Sequence, residues 1–486
     1  MSRIWEPPAE YYSNAILEQS PWKRSGSVPD VFVPPVELPF VQFLSGRLQS
    51  TDGFRRYELI LGPRRVGKTT VMYQAVRRLL RGGVSPERIW WLRLDHSPLT
   101  GVPLGNLVKQ IVAGRSAGDE AFLFIDELAY SHDWDKWLKT FYDEHWPVKI
   151  VATSSAASAL TKKSESGVGR WSERFLRPCL LGEYMRLGGV SEDVPTSDNL
   201  RLTVESAVSG AVSNPPSETR EYRRKLLLIG GFPELLLKES GKRSESDLAF
   251  ESQRVLREDA IERAIHKDIT QSFGIDSPML LEHFLYTLAG NMAGLLSPIK
   301  IGSGLRMSQA TFDRYLSYLE RAFLVFTLPN YSGSERAVNR RGRKLYFVDG
   351  AVRNAALLRG VSLLDDTGET GLLFENMVGS HLRTLGYHTR NHLYYWRDGK
   401  DEVDFIYDHP VHPIAVEVAS SRNHSRKGLI RFMEKHPQFR GGCYIVSPDA
   451  VNIHPNSSPD GVGSIPLDLF LLCVSAQAEK AVRESF

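Results

Sequence analysis

Tyr57-Glu58-Leu59-Ile60-Leu61-Gly62-Pro63-Arg64-Arg65-Val66-Gly67-Lys68-Thr69-Thr70 is the stretch that decides the fold. An apolar run reads as a buried strand, and Gly62-x-x-x-x-Gly67-Lys68-Thr69 is a complete P-loop pattern. Beyond it, Val71, Ala75, Val76, Leu79 and Leu80 recur at helical spacing as far as Gly82-Gly83. Strand, glycine loop and helix are the context the motif requires. Backbone N–H groups from Gly62 to Thr70, with Pro63, Arg64, Arg65 and Val66 between the glycines, would close around phosphate oxygens. The new helix adds the positive end of its dipole. Lys68 would reach the β- and γ-phosphates of a nucleoside triphosphate, and the Thr69 hydroxyl would hold Mg²⁺.

Working outward, Ile89-Trp90-Trp91-Leu92-Arg93-Leu94 reads as a second strand, and Ala121-Phe122-Leu123-Phe124-Ile125-Asp126-Glu127 as another that ends in two carboxylates. Asp126, at the end of a parallel strand, would sit in the Mg²⁺ shell beside Thr69. Glu127 would polarise the attacking water. Trp134, Trp137, Leu138 and Phe141 form the core-facing stripe of the next helix. Val148-Lys149-Ile150-Val151-Ala152-Thr153-Ser154-Ser155 is a further buried strand with a hydroxyl tip. Either Ser154 or Ser155 would sense the γ-phosphate; the alternative is an ordinary serine turn. In Gly169-Arg170-Trp171-Ser172-Glu173-Arg174, Arg170 is the first choice and Arg174 the second for an arginine that completes a neighbouring site. Either could instead be a solvated charge.

Composition limits the alternatives. The chain has 486 residues, enough for three to four domains at roughly 100–200 residues each. A net charge of +3 argues neither for nor against nucleic acid, so such a reading must rest on local patches. Cys179, Cys443 and Cys473 are far apart and have no metal-ligand spacing, which suits a reducing compartment. The polar, proline-bearing start is unlike a signal peptide, and no run of about 18 apolar residues exists. The expectation is a soluble, cytoplasmic protein with no membrane partner.

The proline-rich residues 1–50 are expected to be an arm, packed on the ATPase or on a neighbour. Residues 190–220 read as a linker, and Glu221 to Leu237, broken by Gly230-Gly231-Phe232-Pro233, as a small helical lid. A helix over about 279–292, a second capped by Ser308, and strands at 323–328 and 345–348 suggest a helix-turn-helix with a β-wing. Arg314 lies on its second helix, and Arg336, Arg340, Arg341, Arg343 and Lys344 on the wing. These cations would track phosphates without reading sequence. Farther on, Glu375 on a helix, Asp404 on one strand and Glu417 on the next have the order of carboxylates that hold Mg²⁺ in nucleases. The lysine expected two residues after Glu417 is replaced by Ala419, with Lys427 as a candidate substitute.

Together, Gly62–Thr69, Phe122–Glu127, Val148–Ser155, Gly230–Glu234, Lys344–Asp349, Phe374-Glu375-Asn376 and Glu402-Val403-Asp404-Phe405 resemble the prokaryotic AAA+ ATPases that carry a C-terminal domain of unknown function. The resemblance implies an α/β fold. Its parts are an arm (1–50), a P-loop AAA+ ATPase core (51–190), a linker and helical lid (191–275), a winged helix (276–350) and a restriction-endonuclease-like domain (351–486). It also implies ATP and Mg²⁺ as cofactors, self-association into a ring such as a hexamer, and DNA as partner. Ala419 points to a nuclease-like domain that binds without cutting. The expected activity is an ATP-driven motor or remodeller of duplex or branched DNA. A regulatory ATP switch and an active ATP-dependent nuclease are the alternatives.

Overall fold

The computed structural model describes residues 8–50, 56–116, 118–155, 169–191, 194–211, 217–237, 244–332, 342–386, 392–420 and 424–484. The chain forms two compact units, one running to Leu176 and the other from Arg177.

The first unit is built on a five-stranded parallel sheet. Its strands are β1 (Tyr57–Leu61), β2 (Ile89–Arg93), β3 (Ala121–Asp126), β4 (Val148–Ser154) and β5 (Trp171–Phe175), in the order β2-β3-β4-β1-β5. A parallel sheet is covered on both faces, so its inner strands must be apolar throughout rather than alternating. All of β1 and β3 is accordingly buried. β5 is not apparent as a strand in the sequence. Trp171-Ser172-Glu173-Arg174-Phe175 lies at the sheet edge, where only one side of the strand is paired, and polar side chains are tolerated there. Because β1 lies between β4 and β5, the chain leaves its carboxyl end at the point where strand order reverses, the position at which open α/β sheets place ligands.

The arm packs on its own sheet. Tyr12, Ala15 and Ile16 of the helix Ala9–Glu18 join Leu92, Leu94 and Leu107 in one core cluster. The Trp22 indole is fully buried and donates to the Ile89 carbonyl at 3.0 Å. Tyr73 stacks on Trp91 with ring centres 3.9 Å apart. Glu58, buried within β1, is tolerated because Arg47 (3.1 Å) and Arg174 (3.0 Å) grip its two oxygens.

The second unit begins with helices, among them Leu181–Leu187, Thr219–Ile229 and Glu245–Leu256. The Gly-Gly-Phe-Pro break ends Thr219–Ile229. There Gly231 donates its N–H to Asp349 Oδ2 (2.8 Å) and its carbonyl accepts from Cys179 N (2.7 Å). A Cβ on Gly231 would lie 2.3 Å from the Cys179 carbonyl oxygen, so this motif is explained by close backbone packing.

Three helices follow, Pro278–Ala289, Pro298–Leu305 and Gln309–Arg321, capped by the hydroxyls of Ser277, Ser297 and Ser308. The middle helix occupies what reads in sequence as a glycine- and serine-rich turn. An antiparallel ribbon of β6 (Val325–Pro329) and β7 (Arg343–Phe347) comes next. The helix Thr367–Gly386 then leads into β8 (His392–Asp398), β9 (Asp401–Asp408) and β10 (Ile414–Val418). The helix Lys427–Lys435, β11 (Cys443–Ser447), β12 (Gly463–Pro466) and the helix Leu467–Glu484 complete the unit. The sheet order is β12-β11-β10-β9-β8, antiparallel from β8 to β10 and parallel from β10 to β12. Among the described residues, no helix is long and apolar enough to cross a membrane.

Candidate functional site: a P-loop with two carboxylates

The loop Gly62–Gly67 joins β1 to the helix Lys68–Arg81. A turn this tight needs unusual backbone: Gly67 (φ 90°) and Arg65 (φ 67°) are in the left-handed region. Gly62 is required for a different reason, since a Cβ there would lie 2.0 Å from the Leu176 carbonyl oxygen. Val66 is buried and anchors the loop, while Pro63, Arg64, Arg65 and Thr70 complete its course. The Lys68 side chain turns back into the cradle and donates to the carbonyls of Gly62 (2.9 Å) and Pro63 (2.8 Å). An ammonium held by two neutral carbonyls gains more from a phosphate oxygen, where its bonds are charge-assisted.

The Thr69 hydroxyl lies 3.2 and 3.1 Å from the two oxygens of Asp126. A threonine hydroxyl beside a carboxylate is a hard-oxygen donor set of the kind that suits Mg²⁺. Burial raises the Asp126 carboxyl above its ordinary value, and this is opposed by hydrogen bonds from Thr153 and Thr69 and by the charge of Lys68. A nearby cation would stabilise the ionised form further.

Thr153 is a residue of the site that the sequence does not single out. Its hydroxyl donates to Asp126 Oδ1 at 2.5 Å and accepts from the Glu127 backbone N–H at 3.1 Å. Glu127 has left-handed backbone, φ 57°. Its carboxylate accepts a hydrogen bond from Ser155 Oγ at 3.1 Å. Of the two serines considered at the strand tip, Ser155 therefore touches Glu127, while Ser154 is the last residue of β4 and is buried.

Both candidate arginines are paired in the structure. Arg170 makes a bidentate pair with Asp143, at 2.8 and 3.0 Å. Its carbonyl accepts from Tyr57 N, at the end of the sheet opposite the P-loop. Arg174 is held by Glu58 and lies over the Phe43 ring. Both are engaged within the first unit, so neither is presented as a ready catalytic cation.

In the second unit the wing cations divide. Arg336, Arg340 and Arg341 lie outside the described residues. Arg314 is exposed, and Arg343 pairs with Asp313 at 3.4 Å. Lys344 contradicts its expected place on a solvated tip. Only 5 % of its side chain is exposed, and it is surrounded by Glu375 (3.1 Å), Asp404 (3.2 Å) and Glu402. Burial works against its charge, but Asp404, Glu375 and Glu402 outweigh that and hold the ammonium well above its ordinary pKa. Glu417 bonds His424 at 2.9 Å. Lys427, the suggested substitute, is exposed at the first turn of its helix, so the ammonium within the cluster comes from elsewhere in the chain.

Family comparisons match three separate stretches of the chain. Residues 55–185 match the family described as AAA domain. That stretch holds the P-loop, Asp126 and Glu127. Residues 220–362 and 370–465 match two families described as domains of unknown function, DUF8612 and DUF4143. An uncharacterized protein of Methanocaldococcus jannaschii is 25% identical over 430 residues, covering 86% of this chain and 84% of its own. A second uncharacterized protein from that organism is 23% identical over 358 residues, with 72% of each chain covered. Among solved structures, Cdc6p from Pyrobaculum aerophilum is 14% identical and covers 72% of this chain and 99% of its own, at a TM-score of 0.27. A score of that size adds nothing to the fold described above.

Proposed function

We propose that this chain is an ATP-hydrolysing AAA+ motor or remodeller acting on DNA. The reading rests chiefly on the alignment of Thr69, Asp126, Thr153 and Glu127 at the mouth of the P-loop. Lys68 exchanges its carbonyl partners for β- and γ-phosphate oxygens, and the loop amides cradle the phosphates. Thr69 and Asp126 would hold Mg²⁺, which supplies neutralisation of charge on the phosphates. Glu127 orients and polarises the attacking water. Thr153 fixes both carboxylates by bonding one side chain and the backbone of the other.

The DNA assignment is supported by the second unit. Three short helices followed by an antiparallel ribbon resemble a winged helix. A helix, three antiparallel strands, a helix and a parallel strand have the order of a restriction-endonuclease-like core. Both are shapes that seat on nucleic acid, and ring assembly in the cytoplasm, as a hexamer, fits the AAA+ reading. Stimulation of ATP turnover by single-stranded, duplex or branched DNA tests this. Turnover that is the same with every DNA and without any would count against DNA as the substrate.

A regulatory switch is the second reading, and the Ser155–Glu127 hydrogen bond favours it, because a carboxylate engaged by a serine is not yet committed to water. Nucleotide-dependent assembly with negligible turnover is its signature.

A further inference from the structure

The resemblance to nuclease-like domains implies a divalent cation among Glu375, Asp404 and Glu417. The residues present do not fit one. Glu375 comes from the helix Thr367–Gly386, Glu402 and Asp404 from β9, and Glu417 from β10. At their centre is an ammonium instead of a vacant set of oxygens. Lys344 Nζ meets Glu375 Oε1 and Asp404 Oδ1 and also pairs with Glu402, so each of its three N–H donors has a carboxylate.

Several of these carboxylates have further partners, while Glu417 Oε2 is buried and, among the described residues, has no hydrogen-bond partner. Glu375 Oε1 accepts from the Tyr346 hydroxyl at 2.7 Å, Asp404 Oδ2 from the Val418 N–H at 2.9 Å, and Glu417 Oε1 faces His424 Nε2 at 2.9 Å. Among the described residues, no group of three or more His, Cys, Asp or Glu side chains is disposed to hold a metal ion. Ala419 stands where nuclease-like domains have a lysine, so that strand itself brings no cation to the carboxylates.

We propose that Lys344 is the resident cation of this cluster, taking the place a divalent metal would occupy and fastening the β6–β7 ribbon to the C-terminal sheet. Residues flanking the ribbon are tied to β8 as well. Tyr331 N, two residues past β6, donates to the Tyr395 carbonyl at 2.6 Å, and the Tyr395 hydroxyl donates to the carbonyl of Gly342, just before β7, at 2.6 Å. Lys344 and Tyr346, two residues apart on β7, both reach Glu375. Removing the ammonium leaves a cluster of buried carboxylates that must take up protons or a cation, because clustered like charges in a dry site are costly. The device turns a metal-dependent cutting site into a rigid joint, and the ribbon and sheet engage their ligand as one body. It does not depend on whether the P-loop hydrolyses ATP.

The test is Mn²⁺ binding by titration calorimetry and electron paramagnetic resonance on the full chain without nucleotide. An Asp126→Asn background removes the cation ligand of the P-loop. With Lys344 intact, Asp404→Asn is expected to change nothing in Mn²⁺ binding, and melting temperature is expected to be insensitive to Mn²⁺. Lys344→Met is expected to bind Mn²⁺ at least roughly tenfold more tightly and to melt lower without metal than with it. Asp404-dependent Mn²⁺ binding or DNA nicking by the chain with Lys344 intact overturns the proposal, and this arm stands even if Lys344→Met fails to fold. A folded Lys344→Met chain that gains no Mn²⁺ affinity overturns it too. Failure of ATP turnover alone leaves every one of these readouts in place.

Discussion

Replacing Thr153 with valine removes one hydroxyl at nearly constant volume and acts on both acidic residues beside the P-loop, on Asp126 through its carboxylate and on Glu127 through its backbone N–H. In the folded chain that hydroxyl donates at 2.5 Å to Asp126, which is 6 % exposed, and accepts the Glu127 N–H. A hydrogen bond to a charged group contributes ~1.5–3 kcal/mol, and an unpaired buried N–H costs ~1–3 kcal/mol. Asp126 keeps its Thr69 partner, so the terms overlap, and a stability loss of about 3 kcal/mol is expected. Glu127 has the further problem that left-handed backbone costs a non-glycine residue ~1–2 kcal/mol, and its N–H bond to Thr153 is a contact that holds it there. Relaxation of Glu127 should lower kcat roughly 10–100-fold, since each ~1.4 kcal/mol of lost transition-state stabilisation is tenfold, while KM for ATP changes little. Thr153→Ser, which restores the hydroxyl, should recover most of the turnover. Coupled-assay kinetics and urea unfolding of the three proteins measure both effects. A folded Thr153→Val protein that turns over ATP at the wild-type rate would show that Thr153 does not hold Glu127 for turnover.

The remaining expectations concern the second unit and the base of its helices. His381 accepts from Leu181 N at its Nε2 (3.1 Å) and donates from Nδ1 to the Met377 carbonyl (2.8 Å), which defines a neutral ring. Burial, then the nearby Arg177 charge, lowers its pKa from 6.5 to about 3. The neutral ring's contribution is therefore whole above pH 6.5. It is lost as pH falls toward 3, because the unfolded chain takes a proton that the fold refuses. Denaturant melts should show about 2 kcal/mol less stability at pH 5 than at pH 7.5, with the difference much reduced in His381→Gln; an equal slope in the variant would contradict this. Gly231→Ala should cost about 3 kcal/mol or more, because its Cβ would meet the Cys179 backbone oxygen at 2.3 Å and backbone cannot move aside as a side chain does. An unchanged urea midpoint would show that the Gly-Gly-Phe-Pro contact is not the constraint described.

Much of the first unit is legible in the sequence because its physics is local. Strands buried on both faces must be apolar runs, and the P-loop and Asp126-Glu127 follow such runs directly. The edge strand β5 escapes because Ser172, Glu173 and Arg174 are allowed by an unpaired flank that the sequence does not announce. Thr153 escapes because a hydroxyl inside an apolar run passes for an ordinary strand residue, while the serines after it look like the functional tip. Arg170 and Arg174 read in sequence as candidates to complete a neighbouring site or as solvated charges, because their partners Asp143 and Glu58 are distant in sequence.

Lys344 is the instructive case in the second unit. Its neighbours in the chain are arginines, which suggests a solvated wing, but its neighbours in space are carboxylates on another layer. A signal was present: Lys344 and Tyr346 share one face of a strand, and a lysine beside a buried tyrosine is an odd member of an exposed basic run. The helix Pro298–Leu305 was hidden by Gly302, Ser303 and Gly304, although Ser297-Pro298 is a regular helix start.

The central claim is that the P-loop, Asp126 and Glu127 form a hydrolytic site. ATP turnover compared with ATP binding in the wild type and Glu127→Gln tests it most directly. The wild type is expected to hydrolyse ATP, and Glu127→Gln to bind it with similar affinity while losing roughly 100-fold or more in kcat. Undiminished turnover in Glu127→Gln, or no ATP binding by the wild type, would contradict it.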